Sequence, residues 1–162
     1  YSAWNKLYSA DLWKNKFFAP RKFAEDLATI PDILLNTNRI IVTTQPLYFY
    51  RKRKDSLLNT PYNKEKTELL EIAENLLEKI STKDKRLIPA AENTLLSASF
   101  SILWKTPDTD EFADVKKRAY KHILRLRFKS LFDTRTRFRN KAAVLFSLLG
   151  KRFLIFALRR FG

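Results

Sequence analysis

Apolar residues return at helical spacing through most of the chain beyond residue 60. Leu69, Leu70, Ile72, Ala73, Leu76, Leu77 and Ile80 fall on one side of a helix, while Glu65, Glu68, Glu71, Glu74 and Glu78 face away. The pattern predicts a helix over 60–80, with Thr60 as N-cap and Pro61 at the first helical position. The glutamates read as a solvated face, because an acid–base pair needs buried or coupled carboxylates in a cleft. Pro89 opens a second helix through Trp104, mixing small Ala90, Ala91, Ser97, Ala98 and Ser99 with large Leu95, Leu96, Phe100, Ile102 and Leu103. Small residues let helices approach closely, so 89–104 is expected to be the central buried helix, packed antiparallel on 60–80.

The segment TPDTD at 106–110 is a turn, and Asp108 with Glu111 fits a capping box. From there a helix is expected to run to about Phe132, with Phe112, Val115, Ala119, Ile123 and Leu126 toward the core. A further helix starts near Asp133 or Thr134. The stretches 142–149 and 153–158 are apolar almost all round, more than a chain of this size can cover by itself, so a neighbour is expected to cover part of them.

The first third is less regular. Ser9 can cap a short helix with Leu12, Trp13, Phe17 and Phe18 on its apolar side, ended by Pro20. Residues 21–35 read as one helix or two, broken near Pro31. In RIIVTTQPLYFY, at 39–50, the β-branched run and the aromatics that follow make the one strand-like stretch, divided by Pro46. Arg51, Lys52, Arg53 and Lys54 form a basic loop beyond it. The expected fold is mainly α: a small helical bundle with an extended N-terminal arm, one short β-like stretch near 39–50, and a basic helical C-terminal extension. The expected divisions are 1–58, 59–132 and 133–162.

Composition sharpens this picture. With 2 Gly and 6 Pro among 162 residues there are few tight turns, which favours helices over hairpin-built folds. No Cys is present, so disulfides, thiolate metal sites and thiol catalysis are excluded, and one His, His122, makes no metal cluster. No Gly-rich phosphate loop, HExxH or GxSxG occurs, so no enzyme activity, cofactor, metal or small-molecule substrate is expected. The chain begins at Tyr1 and has no Met; this is read as removal of a transit peptide, with the mitochondrial matrix or the matrix face of the inner membrane as the expected location.

Charge then points to a partner. From Thr109 onward 15 Lys and Arg face 4 Asp and Glu, a net of +11 out of the chain's +15. Such a field draws nucleic acid or anionic lipid. Lys117, Lys121, Arg125 and Lys129 step by four residues along about 18 Å of helix, a ridge able to follow a phosphate backbone. Arg135, Arg137, Arg139 and Lys141 fan out in TRTRFRNK, which suits threading between RNA segments. Phe138 among them fits either an unpaired base or the core. Lys151, Arg152, Arg159 and Arg160 would meet phosphates, with Phe153 and Phe156 as partner or head-group contacts if the last helix lies on a membrane. Trp4 and Trp13 fit either an anchor on a partner or the chain's own core.

Leu7-Tyr8 is similar to the first two residues of the Leu-Tyr-Arg tripeptide that opens the LYR family of small, basic, three-helix mitochondrial proteins. Ser9 stands where that family has Arg, and no role is carried over from it. The functional expectation is a non-catalytic structural subunit of a large organellar assembly, an RNA-contacting ribosomal protein of mitochondria, with other subunits and ribosomal RNA as partners. The alternative is an accessory subunit of an inner-membrane energy complex, a respiratory complex or ATP synthase, that contacts anionic lipid and neighbouring subunits.

Overall fold

The structure is a computed structural model that describes residues 2–18, 23–51 and 60–161. These residues hold six α-helices and no β-strand: α1 (Glu25–Leu35), α2 (Lys64–Lys83), α3 (Ile88–Lys105), α4 (Ala113–Phe132), α5 (Phe138–Ser147) and α6 (Lys151–Phe161). The chain divides into two compact units, 1–61 and 62–162.

In the first unit Ser9 precedes a single 3₁₀ turn, Ala10–Trp13, and its side chain makes no capping bond. Helix α1 starts from Ala24, which sits in the left-handed region at φ 60°, and Leu27, Ile30 and Ile33 are buried. Pro31 lies inside α1 and does not break it. Its missing N–H leaves the Leu27 carbonyl without the usual partner, but the helix continues for four more residues. Residues 39–50 form neither helix nor strand. The expected β-like stretch is therefore absent as a strand: no neighbouring described segment offers a ladder edge, and Pro46 lacks a donor. Ile40, Ile41, Val42, Leu47 and Phe49 are exposed. Lys52, Arg53 and Lys54 of the basic loop lie outside the described residues.

The second unit is a helical bundle. Helix α2 begins three residues later than the proline signal implies: Asn63, not Thr60, is the N-cap, and its Oδ1 accepts the Lys66 N–H at 3.1 Å. Asn satisfies an orphan donor at least as well as Thr, and Pro61 stays outside the helix. Asp84 ends α2 and caps the 3₁₀ turn Lys85–Leu87, accepting the Arg86 N–H at 3.0 Å. Helix α3 then starts at Ile88 with Pro89 in its first turn.

The expectation of a central α3 holds. It touches α2, α4, α5 and α6, and Ala91, Leu95, Leu96, Ser99, Ile102 and Leu103 are almost wholly buried. Ser99 keeps its hydroxyl satisfied inside the core by donating to the Leu95 carbonyl at 2.8 Å. From α4, Ala119, Ile123 and Leu126 enter the same core; Leu70 and Ala73 enter from α2. Burying each large aliphatic side chain stabilises the unit by about 1.5–3 kcal/mol.

Helices α5 and α6 join that core through Ala143, Val144, Leu154 and Leu158. The chain reverses between them at Gly150, whose φ of 99° favours a residue without a Cβ. The apolar tail is thus divided by its two helices: one side is packed, and Leu145, Leu148, Leu149, Phe153 and Phe156 remain exposed. No described helix is long and apolar enough to cross a membrane.

Candidate polyanion interface

Helix α4 carries the basic ridge because its apolar period turns Ala119, Ile123 and Leu126 inward and sends the intervening cations outward. Lys117, Lys121, Arg125 and Lys129 are all exposed. They are not equivalent. Lys129 pairs with Glu92 of α3 at 2.6 Å. Among the described residues no acid pairs with Lys117, Lys121 or Arg125.

Sequence pattern alone did not reveal what lies between those three cations. At 100° per residue, Leu124, Lys117, Phe128, Lys121, Phe132 and Arg125 share an arc of about 100°. Phe128 is 56% exposed and Phe132 85%. This face therefore interleaves unpaired cations with open aromatic rings. The Arg127 guanidinium lies 4.7 Å from the Phe128 ring centroid, which orients that ring. The signal was present as a run of Phe at helical spacing, but a Phe is more often core, and burial alone decides.

Glu74, expected on a solvated face, is partly covered and reaches across from α2 to α4. It accepts from Arg118, and it shares a 2.6 Å hydrogen bond with Nε2 of His122. His122 is therefore a half-buried link between helices, not a solvated surface residue. Glu74 and Glu92 neutralise one flank of α4 and leave the Lys117–Lys121–Arg125 flank unneutralised.

Arg135 is held by Asp133, whose Oδ1 accepts the Arg135 N–H at 2.9 Å and the Arg135 Nε–H at 3.1 Å. The backbone N–H of Arg135, with its side chain, holds the Asp133 carboxyl below the usual carboxylate range. Arg137 is the N-cap of α5, and Arg139 lies in its first turn. Phe138 between them is 86% exposed, so the core alternative for it is removed. Lys151 and Arg152 open α6; Lys151 Nζ lies 5.8 Å from the Tyr120 ring centroid. Neither α5 nor α6 has an acidic residue in its first turn. Cations there oppose the positive end of each helix dipole, at about 0.3–1 kcal/mol per charge, and they add their fields together toward an outside anion.

Arg159 and Arg160 lie in the last turn of α6, where cations are favoured. Arg159 is committed internally, to Asp108 Oδ2 at 2.9 Å. Asp108 is not the cap expected from the TPDTD segment: Thr109 precedes the 3₁₀ turn Asp110–Phe112, without a side-chain capping bond. Asp108 instead accepts from the buried ammonium of Lys116 as well as from Arg159. Those two donors hold its carboxyl below the usual range.

Phe153 and Phe156 are exposed on α6 and touch each other at 6.4 Å between ring centroids; Phe153 also meets Phe146 at 5.9 Å. In the first unit Trp4 packs on Tyr48 and Tyr50 at 4.7 and 4.9 Å, and Trp13 contacts Tyr8 and Phe18. Both tryptophans therefore sit in small aromatic clusters of their own unit, and Trp4 keeps 44% of its surface open. No group of three or more His, Asp and Glu able to hold a metal occurs among the described residues. Comparison with protein-family models, with curated proteins and with solved structures finds no match to this chain.

Proposed function

We propose that the chain is a non-catalytic subunit of a large ribonucleoprotein assembly, an organellar ribosome in mitochondria, and contacts RNA through the outer face of α4. The observation that carries this reading is the alternation of Lys117, Lys121 and Arg125 with exposed Phe128 and Phe132 on one helix face. Phosphates need the cations, and unpaired bases need open rings. A solvated helix face needs no exposed phenylalanines. Arg137 and Arg139, beside exposed Phe138, repeat the same combination at the start of α5. Membership of an assembly is supported by the exposed apolar residues of 39–50 and of the α5–α6 turn, which neighbouring subunits would cover.

The test is binding of a fluorescently labelled single-stranded RNA over a salt series. Replacing Lys117, Lys121 and Arg125 together by Gln lowers the slope of log affinity against log salt by about 2, at roughly 0.7 for each phosphate no longer neutralised. Phe128→Ala with Phe132→Ala weakens binding by about 1–3 kcal/mol for each base unstacked and leaves the slope unchanged. An unchanged slope in the triple variant removes the α4 face from the proposal. For the assembly, co-sedimentation with ribosomal particles from detergent-treated mitochondria should collapse on ribonuclease treatment.

A second reading, an accessory subunit of a mitochondrial inner-membrane energy complex, is favoured by one observation. Phe153 and Phe156 are exposed on the helix that bears Lys151 and Arg152, beside exposed Leu148 and Leu149. Under that reading Phe153→Asp with Phe156→Asp releases the protein from anionic vesicles, and co-sedimentation with a membrane complex resists ribonuclease. Equal vesicle retention of wild type and variant rejects it.

A further inference from the structure

A groove of about 260 Å³ lies between α3, α5 and α6, apart from the α4 face. Its walls are apolar: Phe100 and Trp104 from α3, Ala142 and Phe146 from α5, and Ala157 and Leu158 from α6. Three polar side chains also line it, and each is already engaged. Asn140 Nδ2 donates to Ser97 Oγ at 2.8 Å, and Ser97 Oγ donates to the Asn93 carbonyl at 2.9 Å. Ser101 is hydrogen-bonded to Tyr62, whose burial pushes its hydroxyl up to about 12. The groove therefore offers few free groups with which to read a polar ligand such as a sugar or a base.

What remains unpaired is charge of one sign. Lys105, Arg137 and Arg139 line the same groove, and among the described residues no acid pairs with any of them. Arg137 and Arg139 stand at the start of α5, where the helix dipole adds to their field. Lys105 lies 5.1 Å from the Trp104 ring centroid, which fixes the ammonium beside the apolar wall. Partial burial, then repulsion from Lys66 and Arg139, holds the Lys105 ammonium below its ordinary value, as expected of a cation cluster without a counter-charge. Apolar walls with three cations are complementary to an apolar chain that carries one acidic head.

We infer that the α3–α5–α6 groove binds a single-chain amphipathic anion, its acyl tail against Phe100, Phe146 and Leu158 and its phosphate or carboxylate head on Lys105, Arg137 and Arg139. This shares Arg137 and Arg139 with the RNA reading above but rests on neither reading of the function, since the groove and Lys105 stand apart from the α4 face and from Phe153 and Phe156.

The experiment is calorimetric titration of the full chain with decyl phosphate, decanoate, decanol and inorganic phosphate, below micelle-forming concentrations. The two acids are expected to bind one site and compete, with decanol at least about tenfold weaker and inorganic phosphate silent. The relative affinity of the two acids assigns the head as a lipid phosphate or a fatty-acid carboxylate. Lys105→Gln with Arg139→Gln, both exposed and so compatible with folding, weakens acid binding by about tenfold or more. Ala142→Trp fills the groove and abolishes it. The triple α4 variant binds decyl phosphate as the wild type does, which separates this site from the RNA face. Equal binding of decanol and decyl phosphate, equal binding of inorganic phosphate, or an unaffected double variant overturns the inference.

Discussion

Asp108→Asn tests the link that ties the loop after α3 to α4 and α6. Lys116 is only 5% exposed, and its ammonium donates to the Thr106 carbonyl at 3.1 Å, the Pro107 carbonyl at 3.3 Å and the Asp108 carboxylate. Asp108 also receives Arg159, 51 residues along the chain, at 2.9 Å. The Asn variant keeps the shape and removes the counter-charge. Losing a charge-assisted bond to Lys116 costs about 1.5–3 kcal/mol. The Arg159 pair, with its partners 50% and 64% exposed, adds about 0–1 kcal/mol. Because Asp108 itself is largely in water and Lys116 keeps two carbonyls, the lower half applies, about 2 kcal/mol. That is less than the roughly 3–5 kcal/mol for breaking a fully buried pair. It corresponds to a fall in Tm of about 4–8 °C for a chain of this size.

The assay is urea unfolding followed by far-ultraviolet circular dichroism, as a double-mutant cycle with Lys116→Met. A coupling of about 1–2 kcal/mol is expected. The pH dependence fixes the sign. The folded Asp108 carboxyl is held below its ordinary value by Lys116 and then Arg159, so its contribution is fully present above the unfolded value of about 4. It is lost as the pH falls through the lower folded value. The gap between wild type and Asp108→Asn must therefore close in acid. A gap under about 0.5 kcal/mol at pH 7, or one that persists unchanged to about pH 2, refutes the reasoning.

Two further substitutions probe the core and the basic surface. Ile123→Ala removes a side chain with 0% exposure from the middle of the bundle, and should cost about 2–5 kcal/mol in the same unfolding assay. Arg152→Glu replaces a cation at the positive end of α6 by an anion; it should raise stability by about 0.3–1 kcal/mol while weakening attachment to any polyanion. A variant that neither gains stability nor loses binding would show that the start of α6 is not selected for its charge.

Helices α2, α3 and α4 were legible from local pattern, because the 3.6-residue period sets which side of a helix is apolar before any packing occurs, whereas the helix expected from Asp133 or Thr134 starts only at Phe138 and gives way to α6 after Gly150. Residues 69–80, 95–103 and 112–126 of this chain carry that period clearly, and α2, α3 and α4 follow it. The ridge of Lys117, Lys121 and Arg125 was legible for the same reason, as a four-residue step on one helix. Local signals failed where two local solutions compete: Asn63 displaces Thr60 as cap, and α1 continues through Pro31. The strand-like run at 39–50 has β propensity, but a strand also needs a partner edge, which propensity does not supply.

Which side chains meet across helices was settled by packing. Glu74 with His122, Glu92 with Lys129, and Asp108 with Arg159 depend on helix placement, and no spacing rule reaches across 48 or 51 residues. Those pairings select which cations are neutralised internally and which remain for a partner. Exposure of Phe128, Phe132 and Phe138, and the groove that gathers Lys105, Arg137 and Arg139, follow from the same packing. Residue type and local period are enough to set the helices and the sign of the surface, since neither depends on distant neighbours. The choice of charges and rings left free to bind belongs to the folded bundle, because it depends on residues far away in the chain.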